Sequence, residues 1–191
     1  LPPQAYVGEL QNEIDLDALQ TAHEFVRDTL ASTLEEKFLA CFEANHLDED
    51  YAPTPEQIGH RTLKNKCLGY LLHAGHSKNV KLATEQFADS TNMTDTFAAL
   101  QALVSSPYTE DEGKALDAFY EKWQDDPLVV EQWLAVQASA QQEGAFERVQ
   151  QLVEHPAFSM TRPNSVRAVI GAFTQSGMRN FHRKSGEGYA W

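Results

Sequence analysis

The sequence predicts an all-α fold: an α–α superhelix of stacked antiparallel helix pairs, HEAT/armadillo-like and truncated at its C-terminal end. Three observations predict it. No stretch alternates apolar and polar residues with β-branched enrichment, so strand signals are missing. Apolar residues recur every three or four positions along most of the chain, which is the period of an amphipathic helix. Helix starts recur as well: Pro55, Asn92, Pro127 and Pro163 lie 35 to 37 residues apart, with one more helix between each pair. A helix–turn–helix unit repeated at that interval buries its apolar face by stacking on its neighbours. No tetratricopeptide or ankyrin consensus is legible, so the repeat is one of architecture. An irregular bundle of ordinary helices is the competing arrangement.

The elements follow in order. Asp15 caps a helix with the apolar face Leu16, Leu19, Ala22, Phe25, Val26 and Leu30. Ser32 or Thr33 with Glu35 or Glu36 reads as a capping box for a second helix, which carries Leu34, Phe38, Leu39, Cys41 and Phe42. The acidic loop Asp48-Glu49-Asp50-Tyr51-Ala52-Pro53 ends it. Thr54-Pro55-Glu56 starts a third helix, with proline at the first helical position, where its missing N–H costs nothing. That helix is expected to bury Ile58, Leu63, Cys67, Leu68, Leu71 and Leu72 and to stop at Gly75. Further helices are expected over about 78–88, from Asn92, over about 109–124, from Pro127 behind an Asp126 cap, over 145–154, and from Pro163-Asn164. The segment Gly188-Tyr189-Ala190-Trp191 reads as the first turn of one more, cut short. With Leu1-Pro2-Pro3 in place of an initiator Met, the whole of 1–191 reads as a piece of a larger protein.

Charge and composition narrow the function. The 191 residues carry 15 Lys+Arg against 28 Asp+Glu, a formal charge of −13. So acidic a chain repels phosphate backbones and anionic lipid, so neither nucleic acid nor a membrane is an expected partner. An apolar share of 42% is enough for a core, which excludes wholesale disorder. No apolar run approaches 18 residues. Two cysteines, Cys41 and Cys67, lie among apolar neighbours and read as buried reduced thiols rather than a disulfide. That fits a reducing compartment, so a cytoplasmic location is expected.

Catalytic signatures are scarce. The nearest match to a zinc-peptidase helix is His23-Glu24-Phe25-Val26-Arg27, where an arginine stands in place of the second imidazole. His73 and His76 have a glycine between them and no third ligand beside them. There is no nucleophile elbow and no glycine-rich phosphate loop. Asp125-Asp126 and Glu35-Glu36 suit helix capping and the helix dipole better than acid–base work. One charge feature stands out. Residues 1–161 carry a net −17, whereas residues 162–191 carry +4, from Arg162, Arg167, Arg179, Arg183 and Lys184 against Glu187. Such an end is either an anion-binding surface or a basic edge that docks on an acidic neighbour in the parent protein.

Several segments together carry a resemblance. They are Arg61-Thr62-Leu63-Lys64-Asn65-Lys66-Cys67-Leu68, Asn92-Met93-Thr94-Asp95, Lys122-Trp123 with Leu128-Val129-Val130-Glu131-Gln132-Trp133, His155-Pro156-Ala157-Phe158-Ser159-Met160, and Asn164 through Phe173 followed by Phe181-His182 and Gly186-Glu187-Gly188-Tyr189. In this order the chain resembles the C-terminal helical domain of bacterial aminopeptidase N, of the gluzincin zinc aminopeptidases. The resemblance implies a parent enzyme of the membrane alanyl aminopeptidase type that removes N-terminal residues from peptides. Its zinc and its catalytic residues would lie outside this chain, which would be inactive alone. It also implies a helical domain that packs on the catalytic domain and walls the peptide chamber of a monomeric enzyme. Arg167 matches a substrate-binding arginine of that wall. The sequence departs from the family pattern at Gly177-Met178 and at Arg183-Lys184-Ser185. A free-standing helical-repeat scaffold for a protein partner is the alternative.

Overall fold

Local chemistry sets the helix boundaries in the computed structural model, which describes residues 1–142 and 144–191. Among the described residues every regular element is helical: α1 (Gln4–Glu9), α2 (Leu16–Thr33), α3 (Glu35–Ala44), α4 (Pro55–His73), α5 (Ser77–Asp89), α6 (Met93–Val104), α7 (Thr109–Trp123), α8 (Pro127–Ala138) and α9 (Ala145–Glu154). After α9 come α10 (Pro163–Val166), a π-turn (Arg167–Gly171), α11 (Ala172–Gln175), α12 (Met178–Phe181) and α13 (Glu187–Ala190). The four recurring starts are all real, since Pro55, Pro127 and Pro163 each open a helix and Asn92 caps α6. Thr54, Asn92 and Asp126 each accept backbone N–H groups that the first turn would otherwise leave unsatisfied. Asp15 accepts from the Ala18 N–H at 3.0 Å in the same way. Gly75, at φ +76°, ends α4 in the left-handed region that glycine enters without strain.

Two expectations about local structure fail. The capping box at Ser32 does not form, because α2 runs on through Thr33 and the Ser32 hydroxyl donates back to Asp28 O at 2.8 Å. The N-cap of α3 is Leu34, whose side chain has no polar atom to accept a hydrogen bond from the helix end. Six residues at the N-terminus form α1, which the sequence pattern does not announce.

The described residues divide into two compact units. The first holds Leu1 and residues 22–115. In it α4 packs on α3, α5 and α6, and α5 pairs with α6. Its core is Leu68, Leu71, Leu72, Ala99, Leu100, Leu103 and Val104. The first half of α4 does not behave as its pattern suggests. Ile58 and Leu63 are exposed, whereas Gln57, Arg61 and Lys64 are buried. Phe25 and Val26 of α2 are exposed too.

A polar network explains the inversion. Lys64 Nζ donates to Asp95 Oδ2 at 2.7 Å, with both side chains under a tenth exposed. Asn65 and Asn92 donate to the same carboxylate, and Gln86 Nε2 donates to Asn65 Oδ1 and to Asp95 O. Burial works against the Asp95 charge, but the Lys64, Asn65 and Asn92 hydrogen bonds outweigh it and hold the carboxyl below its usual range. One turn away, Arg61 donates to Gln57 Oε1 and Ala52 O and lies over the Tyr51 ring. Gln57 ties down the backbone of the preceding loop through Ala52 N and Asp50 O. α4 therefore presents a polar face to its neighbours at its start and an apolar one at its end.

The thiols also differ from expectation in one respect. Cys67 is buried, but Cys41 is only half-buried, and both are free. Burial and, after it, the neighbouring Cys41 thiol push Cys67 up to about 12.

The second unit holds residues 2–21 and 116–191. α8 packs on α9, on the π-turn and on α11. Trp133 Nε1 donates to Leu116 O at 3.0 Å, and Tyr120, Trp133 and His155 form an aromatic cluster. A second cluster joins Phe146, Phe173, Phe181 and Trp191.

The buried pair and a buried imidazole give two expectations. Lys64→Met leaves the Asp95 charge without its cation, which should cost about 3–5 kcal/mol in urea unfolding. Asp95→Asn in that background should recover part of the loss, and additive losses would argue against a coupled pair. His73 of α4 is held down to about 4, first by burial and then by Arg27, against the weaker pull of Asp28 and Glu24. Its folded pKa lies below its unfolded one, so the contribution is full above the unfolded value near 6.5 and is lost as pH falls through 4. The melting temperature should therefore drop between pH 6.5 and 4. His73→Gln should flatten that slope in a thermal-melt series.

Candidate functional site

The basic end of the chain resolves into committed and uncommitted cations. Arg183 pairs with Glu187 at 3.0 Å and with Glu147 at 3.6 Å, and its guanidinium lies 4.9 Å from the centre of the Phe146 ring. The hydrogen bond from Arg183, followed by one from Ser185, holds the Glu187 carboxyl below its usual range. Lys184 Nζ meets Asp17 Oδ2 at 2.9 Å, and each shifts the other's titration in favour of the charged form. Arg162 donates to the Ala157 carbonyl. Much of the +4 is thus spent on acids and carbonyls of the same unit. Neither reading of the basic end foresees pairing inside the chain, which is where Arg183 and Lys184 find their partners.

Arg167 is different. It is exposed, and it opens the π-turn. Its Nη1 donates to Asn164 Oδ1 at 3.2 Å, a neutral partner one turn back. Among the described residues no carboxylate lies within ion-pair distance of it. The segment that carries it is anchored firmly on the opposite face. Ser165, Val169 and Phe173 are fully buried, and the Ser165 hydroxyl accepts the Ser159 N–H at 2.9 Å. A π-turn closes its hydrogen bonds one residue later than an α-turn, a costly local geometry that recurs at functional sites. A guanidinium on such a support offers several donors to a carbonyl or carboxylate.

Glycine allows the turns after α11. A Cβ on Gly177 would stand 2.8 Å from Phe173 O and 3.2 Å from Ala138 O, and one on Gly188 would stand 2.1 Å from Phe181 O. The Gly177-Met178 departure from the family pattern therefore has a packing basis: the backbone at 177 passes too close to α8 and α11 for a side chain.

The described residues contain no group of three or more His, Cys, Asp or Glu side chains that could hold a metal ion. His73 Nδ1 faces Asp28 Oδ1 at 3.9 Å, and His76 Nε2 faces Glu35 Oε2 at 3.3 Å. Neither His73 nor His76 belongs to such a group among the described residues. No helix of the described residues is long and apolar enough to cross a membrane.

Sequence reading missed one feature of the first unit. A cleft of about 760 Å³ lies between the 45–51 loop, the start of α4 and the α5–α6 turn. Its signal was present in the Asp48-Glu49-Asp50 run, which reads only as a loop when considered alone.

Residues 1–191 match the family model described as a domain of unknown function (DUF3458_C), ARM repeats. Aminopeptidase N of Haemophilus influenzae is 33% identical over 189 residues, 99% of this chain and 21% of that protein. Aminopeptidase N of Escherichia coli is 34% identical over 189 residues, 99% of this chain and 22% of that one. Aminopeptidase N of Caulobacter vibrioides is 30% identical over all 191 residues and 22% of its own length. Among solved structures, Legionella pneumophila aminopeptidase A in complex with aspartic acid superposes with a TM-score of 0.87 at 31% identity, covering all of this chain and 23% of that one. The chain thus spans about a fifth of the length of the relatives it matches.

Proposed function

The chain belongs to the DUF3458_C family of ARM-repeat domains, and on that premise we propose that it is the C-terminal helical domain of a zinc aminopeptidase of the aminopeptidase N type. One observation carries the reading: essentially the whole chain aligns with three aminopeptidases N at 30–34% identity. In this proposal the parent enzyme removes N-terminal residues from peptides, with zinc and catalytic groups supplied by another domain. This domain packs on the catalytic one, walls the substrate chamber and has no turnover of its own. The enzyme is cytoplasmic and monomeric in this reading, and the two free thiols suit a reducing compartment.

Within that frame Arg167 binds the peptide away from the scissile bond. Support comes from its exposure and from its single neutral partner, which leave most of its donors available. A cation of that kind acts on extended substrates that reach it. Binding energy made equally in the ground and transition states appears in KM rather than in kcat.

Two measurements test the reading. The 191-residue chain, supplied with zinc, should not hydrolyse an alanyl chromogenic amide, and metal-dependent turnover by a pure preparation would overturn it. In the full-length enzyme, Arg167→Ala should raise KM for peptides at least about tenfold and leave KM for single-residue amides within about twofold, because one lost charge-assisted hydrogen bond costs about 1.5–3 kcal/mol and each 1.4 kcal/mol is about tenfold. Equal effects on both substrate classes would make Arg167 a structural residue.

A further inference from the structure

We propose that Cys41 and Cys67 form a modification site: a dithiol that hydrogen peroxide converts to a disulfide between α3 and α4. Two contacts between these helices fix their register. The Phe38 and Tyr70 rings stack almost parallel, with centroids 4.7 Å apart. The Asn45 amide and the His60 imidazole meet at 2.8 Å. The start of α3 therefore lies against the end of α4, and its end against the start of α4, so the pair is antiparallel. Cys41 stands three residues after Phe38, and Cys67 three residues before Tyr70. Residues three apart share a helix face. In an antiparallel pair equal steps in opposite directions reach the same level, so the two thiols face each other one turn from the ring stack. Both are free, and each sits on a helix packed directly against the other's. The pull of the Cys41 thiol on the titration of Cys67 is the electrostatic trace of the same contact.

The two thiols have different roles. Cys67 is 3% exposed, and burial keeps its proton on, so it is shielded from direct attack. Cys41 is half-buried and is the one a small oxidant reaches. Asn45 Nδ2 donates to Cys41 O at 2.7 Å and lies 3.6 Å from Cys41 Sγ. With that nitrogen committed, Asn45 Oδ1 faces His60 and accepts from its Nδ1. The relay holds an N–H donor beside the sulfur that reacts first. In the first step Cys41 sulfur attacks one peroxide oxygen. An S–O bond forms, the O–O bond breaks, and the other oxygen leaves as water with the Cys41 proton. In the second step Cys67 sulfur attacks the sulfenic sulfur of Cys41. The S–S bond forms, the S–O bond breaks, and the hydroxyl leaves as water with the Cys67 proton. Two thiols and one peroxide thus give one disulfide and two waters. In a reducing compartment such a bond is transient rather than structural. It would enclose residues 42–66 and hold the 45–51 loop and the start of α4 in one ring. The inference rests on the first unit alone and stands apart from the enzyme reading.

The experiment treats the reduced 191-residue chain, at micromolar concentration, with equimolar hydrogen peroxide and reads intact mass and a tryptic map made without reduction. The monomer should lose the mass of two hydrogens. Tryptic peptides 38–61 and 67–78 should then appear as one cross-linked species that dithiothreitol separates. The oxidised form should melt about 5–10 °C above the reduced one, because the ring restricts the unfolded chain. Cys67→Ser should stop at a Cys41 sulfenic acid that dimedone traps, and Cys41→Ser should leave Cys67 unoxidised at the same dose. An unchanged mass, oxygen added to Cys41 without a cross-link, or disulfides only between two chains would each overturn the proposal. Oxidation of Cys67 at the wild-type rate in Cys41→Ser would overturn the order of attack. A cross-linked form that melts below the reduced one would show thiols joined only through unfolding, and would overturn the site as well.

Discussion

The buried Lys64–Asp95 pair fixes the first unit. Taking both charges out of water is costly, and their attraction offsets that cost only because every remaining acceptor on Asp95 is used. The contacts come from three helices. Lys64 and Asn65 belong to α4, Gln86 to α5, and Asp95 opens α6 beneath its Asn92 cap. A rotation of any one helix would leave a buried charge or a buried amide without its partner. The apolar core of Leu68, Leu71, Leu100 and Leu103 favours close packing in many registers. The ion pair selects one of them, and the register of α4 sets the acidic loop over the cleft through Arg61 and Gln57.

Legibility in the sequence followed the chemistry of each segment. Where a proline or an Asx residue opens a helix and leucines or valines fill its face, the boundaries are readable, as at α6 and α8. The repeat of about 36 residues rests on those starts and survives in the structure. α4 was misread because periodicity counts apolar residues only. Its buried face begins with Gln57, Arg61 and Lys64, spaced four and three apart, and these are helical neighbours of the wrong polarity for the rule. Ile58 and Leu63 fall on the other side. Ser32 failed as a cap because its hydroxyl, inside α2, is satisfied by the carbonyl four residues back.

The candidate site was half legible. Arg167 was visible through resemblance and through the charge reversal at the chain's end. Which of the five cations of that end would be neutralised was not visible, because Glu147 and Asp17 are distant in sequence from Arg183 and Lys184. The cleft was not legible for a related reason. Its carboxylates come from the 45–51 loop and, more than 30 residues later, from α5 and α6.

The π-turn has a consequence for phase. Ser165, Val169 and Phe173 are each fully buried and spaced four apart. In a straight α-helix every step of four overshoots a full turn by about 40°, so three such residues would fan across some 80° of the surface. The wider ring between Arg167 and Gly171 turns less per residue and so reduces that drift, which fits the burial of all three and the stack of Phe173 on Phe146. Losing a single residue from this ring would restore ordinary winding and swing everything after it round the axis, so the length of this segment is constrained more tightly than its composition.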